Sequence, residues 1–495
     1  MTRPLALVLG TALLSAASLR QAQAGGPPDA WFAIAVGLAI AVTLVGSGAT
    51  ADGWSRLSGG WPRLSGRARW LGRARSLGRA HSLGPALLVV AAAAAVADRR
   101  LVVSSRGPAP DEVLLAILVV ALPVLALLRV PARLRETIAI GLTLATYALV
   151  CVALIVGKPY HVDAVIAPHR AAELLLTGHD PYRDFDFLEA AARFNIEPAL
   201  VTHFADGTPV RLYDYPALSF LAVAPFVAAG VGDLRWIYLA EVLVLALVVG
   251  QRVRGPWRPL VTAAVVGNVA ITRQYVLAGI DPSWMLLVVL GWLALERRRP
   301  SALAVGLAVA ARQTAWFVAP FYLLEVFRRF GRREALRRAA IAGATALLVH
   351  LPFLLDAPAE LVRGVLTPVL GALAPGGIGL VLLGQRGRLP VLPHDAYTLL
   401  ALAAYAGAAL VFLRRGSGAG GAALALAPLY LAWRSLLSYF AFVPLLALVS
   451  DPHLLRPTER HAGSDPHLPR PTERDPTSDP DLLRSSEHDP QEVRR

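Results

Sequence analysis

The chain has 495 residues, of which 56% are hydrophobic and only 17% are charged, whereas a soluble domain carries roughly 25% charged residues. That balance excludes an ordinary soluble globular protein. The formal charge of +14 does not point to a nucleic-acid partner, because the excess is arginine held in short loops between apolar blocks, the pattern of topology-setting loops.

The apolar residues come in long unbroken blocks that recur from near residue 4 to Ser450, and a bilayer core takes about 20 such residues per helix. The blocks are rich in Ala, Leu and Val, and a backbone inside lipid must satisfy its own hydrogen bonds, so helices are expected rather than a barrel. The predicted fold is an all-α, polytopic transmembrane helical bundle with a large extracytoplasmic loop bearing interfacial helices. Several blocks are short for a full span, which predicts roughly 11 to 13 crossings with some re-entrant pieces. Only one lysine, Lys158, occurs among the 48 basic residues. With the abundance of alanine, this arginine bias is that of a GC-rich genome and points to the plasma membrane of a bacterium. Cys151, the lone cysteine, lies inside an apolar block and rules out an internal disulfide.

Three regions follow along the chain. Residues 1–135 hold N-terminal membrane helices and an Arg-rich loop. The first 24 residues read either as a signal peptide ending in Ala22-Gln23-Ala24 or as a first membrane helix, and the helix is favoured because further apolar blocks follow at once. Between Trp54 and Gly84 there are seven arginines and no acidic group. This segment reads as a low-complexity cytoplasmic loop under the positive-inside rule, with anionic-lipid binding as the functional alternative. Residues 136–450 form the membrane core, with a polar outer loop at 158–214. Residues 451–495 repeat the unit Ser450-Asp-Pro-His-Leu-Leu-Arg-Pro-Thr-Glu-Arg460 at Ser464–Arg474, and with so little to bury the tail is expected to be disordered. His453 and His467, which sit in this Pro-rich tail, are not expected to hold a metal. Counting crossings outward from the Arg-rich loop meets a conflict. Arg252, Arg254 and Arg258 belong inside, yet blocks 215–231 and 236–250 separate them from the outer loop, and two crossings would leave them outside.

The outer loop carries the chemistry. Residues 158–214 hold nine carboxylates, five basic residues and four of the eleven histidines. Asp163 follows Tyr160-His161-Val162 just beyond the apolar block ending at Gly157, which pins its carboxylate at the membrane boundary, where a lipid-linked substrate presents its reactive group. An interfacial helix is predicted from Ala164 to Thr177, stopped by Gly178, followed by a tight turn at His179-Asp180-Pro181-Tyr182. Asp180 reads either as a site carboxylate or as the cap of that turn. Tyr213-Asp214-Tyr215-Pro216 opens the next apolar block, with the proline suited to a helix start. Tyr182 and Tyr215 read as interfacial anchors. Arg273, Arg312 and Arg434 fall in or beside apolar blocks, where an ionisable group is costly and usually functional.

An Asp just after a membrane helix, then AAELLLTGHDPY at 171–182 and YDYPALSFLAVAPF at 213–226, resembles the bacterial members of the C-superfamily of integral membrane glycosyltransferases, among them the polyprenyl-phosphate-mannose-dependent alpha-mannosyltransferase-like proteins. RQYVLAGIDPSW at 273–284, GLAVAARQTAWFVAPF at 306–321 and WRSLLSYFAFVPLL at 433–446 agree with that resemblance, which covers roughly 137–449. The chain departs from it by placing Arg312 where the family commonly has lysine, a change that keeps the charge. The resemblance implies an enzyme that takes a sugar, mannose or another hexose, from a polyprenyl-phosphate donor and passes it with inversion to a glycan, glycolipid or protein acceptor at the outer face. Asp163 is then the expected catalytic base, with Asp180 next in line. Arg312, Gln313, Tyr182, His179, Arg273 and Arg434 are the expected substrate-binding residues, Arg312 foremost. Membrane lipids are further partners. The resemblance fixes no cofactor, and a divalent cation stays open. The competing class is a transporter or lipid-linked-sugar flippase, which accounts for the helices and the intramembrane arginines but poorly for the polar outer loop.

Overall fold

The computed structural model describes residues 10–18, 30–48, 131–253, 257–416 and 421–450. The Arg-rich segment 54–84, the block near 112–130, the repeat tail and the histidines in it lie outside the described residues.

The described chain is mostly helical, as its apolar blocks require. Among the described residues four helices are long and apolar enough to cross a membrane: Arg133–Ile155, Trp257–Leu277, Arg332–Asp356 and His394–Arg415. Three of them, all but Trp257–Leu277, turn large apolar side chains outward. Leu348 and Leu355 on Arg332–Asp356 are 66% and 76% exposed, and Leu399 on His394–Arg415 is 66% exposed. Apolar surface of that extent suits hydrocarbon rather than water.

Other blocks are broken instead of forming single long helices. Block 215–231 becomes two short helices, Leu218–Leu221 and Ala224–Ala228, the second with Pro225 in its first turn. This bears directly on the topology conflict, since 215–231 does not provide one continuous spanning helix. Block 301–327 splits into Arg298–Ala311 and Thr314–Phe330. The backbone of Arg312, between them, is extended at φ −157 and ψ 143. Block 421–449 breaks into two 3-10 turns, a two-residue strand and the helices Leu437–Phe440 and Val443–Val449, with Pro428 and Pro444 among the pieces. Proline and the extended step at Arg312 interrupt these runs, and other blocks counted toward the 11 to 13 crossings lie outside the described residues.

The fold also holds one small departure from all-α. Gly376–Gly377 pairs in parallel with Arg434–Ser435. Gly377 has φ +112, and a Cβ there would sit 2.0 Å from the Ser435 carbonyl oxygen, so only glycine lets these strands approach.

The 158–214 loop has a core of its own. Its helix runs Asp163–Leu176 and stops at Thr177 and Gly178, the latter at φ +81. Tyr182, Phe185, Phe187 and Tyr213 are buried with Phe220 and Phe353 in a cluster separate from the main helical core. The rings of Tyr182 and Tyr213 meet edge to face at 5.5 Å, a favoured aromatic geometry. The tip, with His203 bridged to Pro209, docks on the segment 372–374 through Ala205 N–H to Ala372 O at 2.7 Å and Ala374 N–H to His203 O at 2.9 Å.

Candidate active site

Asp163 is the first residue of the loop helix. Its Oδ2 accepts both the backbone N–H of Thr202, at 2.9 Å, and the Thr202 hydroxyl, at 2.7 Å. Among the described residues nothing donates to Oδ1, so one carboxylate oxygen is held and the other is not. From Thr202 the hydrogen bonding runs on through His203 to Ala374. Beyond lie Gly376, whose N–H donates to Trp433 O, and the strand bearing Arg434. One continuous framework therefore fixes Asp163 and Arg434.

Asp214 completes the site. It is buried, and its Oδ1 has no hydrogen-bond partner. Burial pushes its carboxyl up to about 7, with the nearby charge of Asp163 adding to the shift and the guanidiniums of Arg312 and Arg434 opposing it. Two carboxylates and two guanidiniums thus share one electrostatic environment. Tyr439 lies within reach of Arg434, Arg312 and Asp214. The Arg312 guanidinium sits 4.9 Å from the centre of the Tyr215 ring, a cation–π distance. Because Arg312 occupies the break between two helices, its side chain leaves an extended backbone step and is not mid-helix. The neighbouring Gln313 is buried and donates to Asp214 O at 2.5 Å and Val365 O at 3.1 Å, fixing the backbone from which the Asp214 carboxyl projects.

A second pair of acids borders the site. Asp281, buried, accepts the Ser283 N–H at 2.8 Å while its Oδ2 stays unpartnered, and Glu241 accepts the Ser283 hydroxyl at 2.8 Å. Arg312 lies within electrostatic reach of Asp281.

The expected site residues divide into two groups. Asp163, Arg312, Gln313 and Arg434 come together. His179 and Asp180 do not join them, because the loop helix lies between: at 1.5 Å per residue its length separates its two ends by roughly 20 Å. Asp180 is the cap of the turn, accepting the Tyr182 N–H at 2.7 Å. Burial raises its pKa, and Asp356 nearby adds to the rise. His179 is exposed, with its Nδ1 3.1 Å from the Thr177 hydroxyl. Tyr182 is fully buried and donates its hydroxyl to Tyr215 O at 2.9 Å, so it supports the Tyr213–Pro216 turn and offers no face to a sugar. Arg273 lies on a π-helical turn, Thr272–Leu277, and lines a separate cavity.

The chain matches no family model, no curated protein and no solved structure. The site is therefore read from its own residues. Thr202, Asp214, Asp281 and Tyr439 were not singled out from the sequence. For Asp214 the signal was present: a carboxylate between two tyrosines, directly before Pro216, at the edge of an apolar block.

Proposed function

We propose that this protein is a multi-pass bacterial plasma-membrane glycosyltransferase that moves a hexose, mannose or another, from a polyprenyl-phosphate donor to a glycan, glycolipid or protein acceptor at the outer face. The observation that carries this reading is the convergence of Asp163, with one free carboxylate oxygen, on Arg312, Arg434 and the partly neutralised Asp214.

In this mechanism the acceptor hydroxyl attacks the anomeric carbon while Asp163 takes its proton. The bond from that carbon to the phosphate oxygen breaks, and its electron pair leaves with the lipid phosphate. Arg312 and Arg434 face the charge that develops there. Their positive charge is not fully cancelled, because Asp214 titrates near neutrality. The Tyr215 ring lies against the Arg312 guanidinium at a cation–π distance.

The test is incubation of membranes bearing the protein with a panel of radiolabelled polyprenyl-phosphate sugars. Consumption of one of them, with label passing to an acceptor, supports the reading. A second reading, transport or flipping of a lipid-linked sugar, is favoured by one observation, the helix interrupted at Arg312 and Gln313, since broken helices mark many transporter sites. Uptake into vesicles without consumption of any donor would establish it instead.

A further inference from the structure

A cavity of about 400 Å³ opens at the C-terminal end of the helix Ala132–Ile155, beside the start of the loop helix. Lys158, His161, Arg235 and Arg273 line it, and among the described residues no carboxylate does. Arg235 is already neutralised, since Asp233 takes its Nε and Nη2 at 2.7 to 3.1 Å. Arg273 and Lys158 are not. Arg273 donates to the Ser18 carbonyl at 2.8 Å, and neither side chain pairs with an acid among the described residues. Two like charges facing one hollow repel each other and have no acid to balance them among the described residues, which leaves an anion as their natural complement.

We infer that this cavity binds a phosphate group carried on a lipid chain, at residues distinct from Arg312 and Arg434. A phosphate fills only a small part of it. Leu154, Leu277 and Ile280 make much of the remaining wall apolar, with Gln274 polar among them. Leu154 stands on a helix apolar enough to span a bilayer, and Val150, one turn before it on the same face, is half-buried, so the apolar wall continues along that helix. A free phosphate compound uses none of that surface. His161 adds a proton response: burial and the surrounding Arg235, Lys158 and Arg273 lower its pKa, and a bound anion reverses the effect of those cations, so binding draws a proton onto the imidazole. The inference stands on the cavity and does not require sugar transfer.

The experiment uses the full chain in dodecyl maltoside micelles, with Cys151→Ala to remove the native thiol and Leu154→Cys to place a reporter in the wall. Dodecyl phosphate is expected to slow alkylation of that thiol by a maleimide. Inorganic phosphate is expected to do so only at far higher concentration, and dodecanol not at all. Lys158→Gln, at an exposed residue whose side chain makes no hydrogen bond among the described residues, is expected to raise the protecting concentration of dodecyl phosphate by about tenfold, with Arg273→Gln doing the same. Absence of protection, or protection unchanged in both variants, overturns the site. Equal protection by inorganic phosphate overturns its assignment to a lipid. Because the readout is binding, it is decided independently of whether any donor sugar is turned over.

Discussion

Asp163 and Asp214 lie near opposite ends of the 158–214 loop in sequence, yet the charge of one raises the pKa of the other. Asp214 is buried with an unpartnered oxygen, and the loop core that buries it also sets Asp163 against Thr202.

This relationship predicts a pH signature. A carboxyl raised on folding to about 7 keeps a proton that the unfolded chain loses near pH 4. Between those values the native state binds more protons than the unfolded state, so stability falls as pH rises, by about 1.4 kcal/mol per unit. Asp214→Asn removes the titration. Thermal unfolding of wild type and variant should therefore diverge from about pH 4 to pH 7, with wild type losing stability relative to the variant, and run parallel above. Parallel curves throughout would show that Asp214 ionises freely.

Arg312 separates charge from shape. Arg312→Ala removes both the cation and its stacking on Tyr215, and should lower kcat/KM for the donor by roughly tenfold to a hundredfold. Arg312→Lys should recover much of that loss through charge. It should fall short of wild type, because an ammonium is a more strongly hydrated point charge than the guanidinium beside the Tyr215 ring. Equal activity of the alanine and lysine variants would remove Arg312 from the phosphate's surroundings.

Gly377→Ala tests the framework under Arg434. The added methyl would lie 2.0 Å from Ser435 O at a residue with φ +112, and should cost about 1–3 kcal/mol of stability. Gly387, at φ +65 with nothing within 4 Å, is the control. Gly387→Ala pays only the backbone term, about 1 kcal/mol. A difference in melting temperature between the two variants measures the close approach itself, and no difference would mean that the strands part without cost.

Several of these features were legible in the chain. Asp163 was found from its distance past an apolar block, and the loop helix from Gly178. Arg312 and Arg434 stood out as charges in apolar surroundings. Their meeting was not legible, because it depends on Gly376–Gly377 pairing with Arg434–Ser435 and on the extended backbone at Arg312, both set by tertiary contact. The break between Ala311 and Thr314 was not legible either, because hydropathy does not register it. Asp180 drew attention as a loop carboxylate, but an Asp before Pro181 also has the sequence signature of a helix cap, and that is the role its hydrogen bond fills.

The most direct measurement is sugar transfer by Asp163→Asn. The amide keeps the size of the carboxylate and its contacts with Thr202 on one side, but it accepts no proton from the acceptor. With a polyprenyl-phosphate sugar that wild type consumes, the variant should stay folded, bind donor, and transfer sugar 10²–10⁴-fold more slowly. Near-native transfer by a folded Asp163→Asn protein would place the base elsewhere and contradict the account.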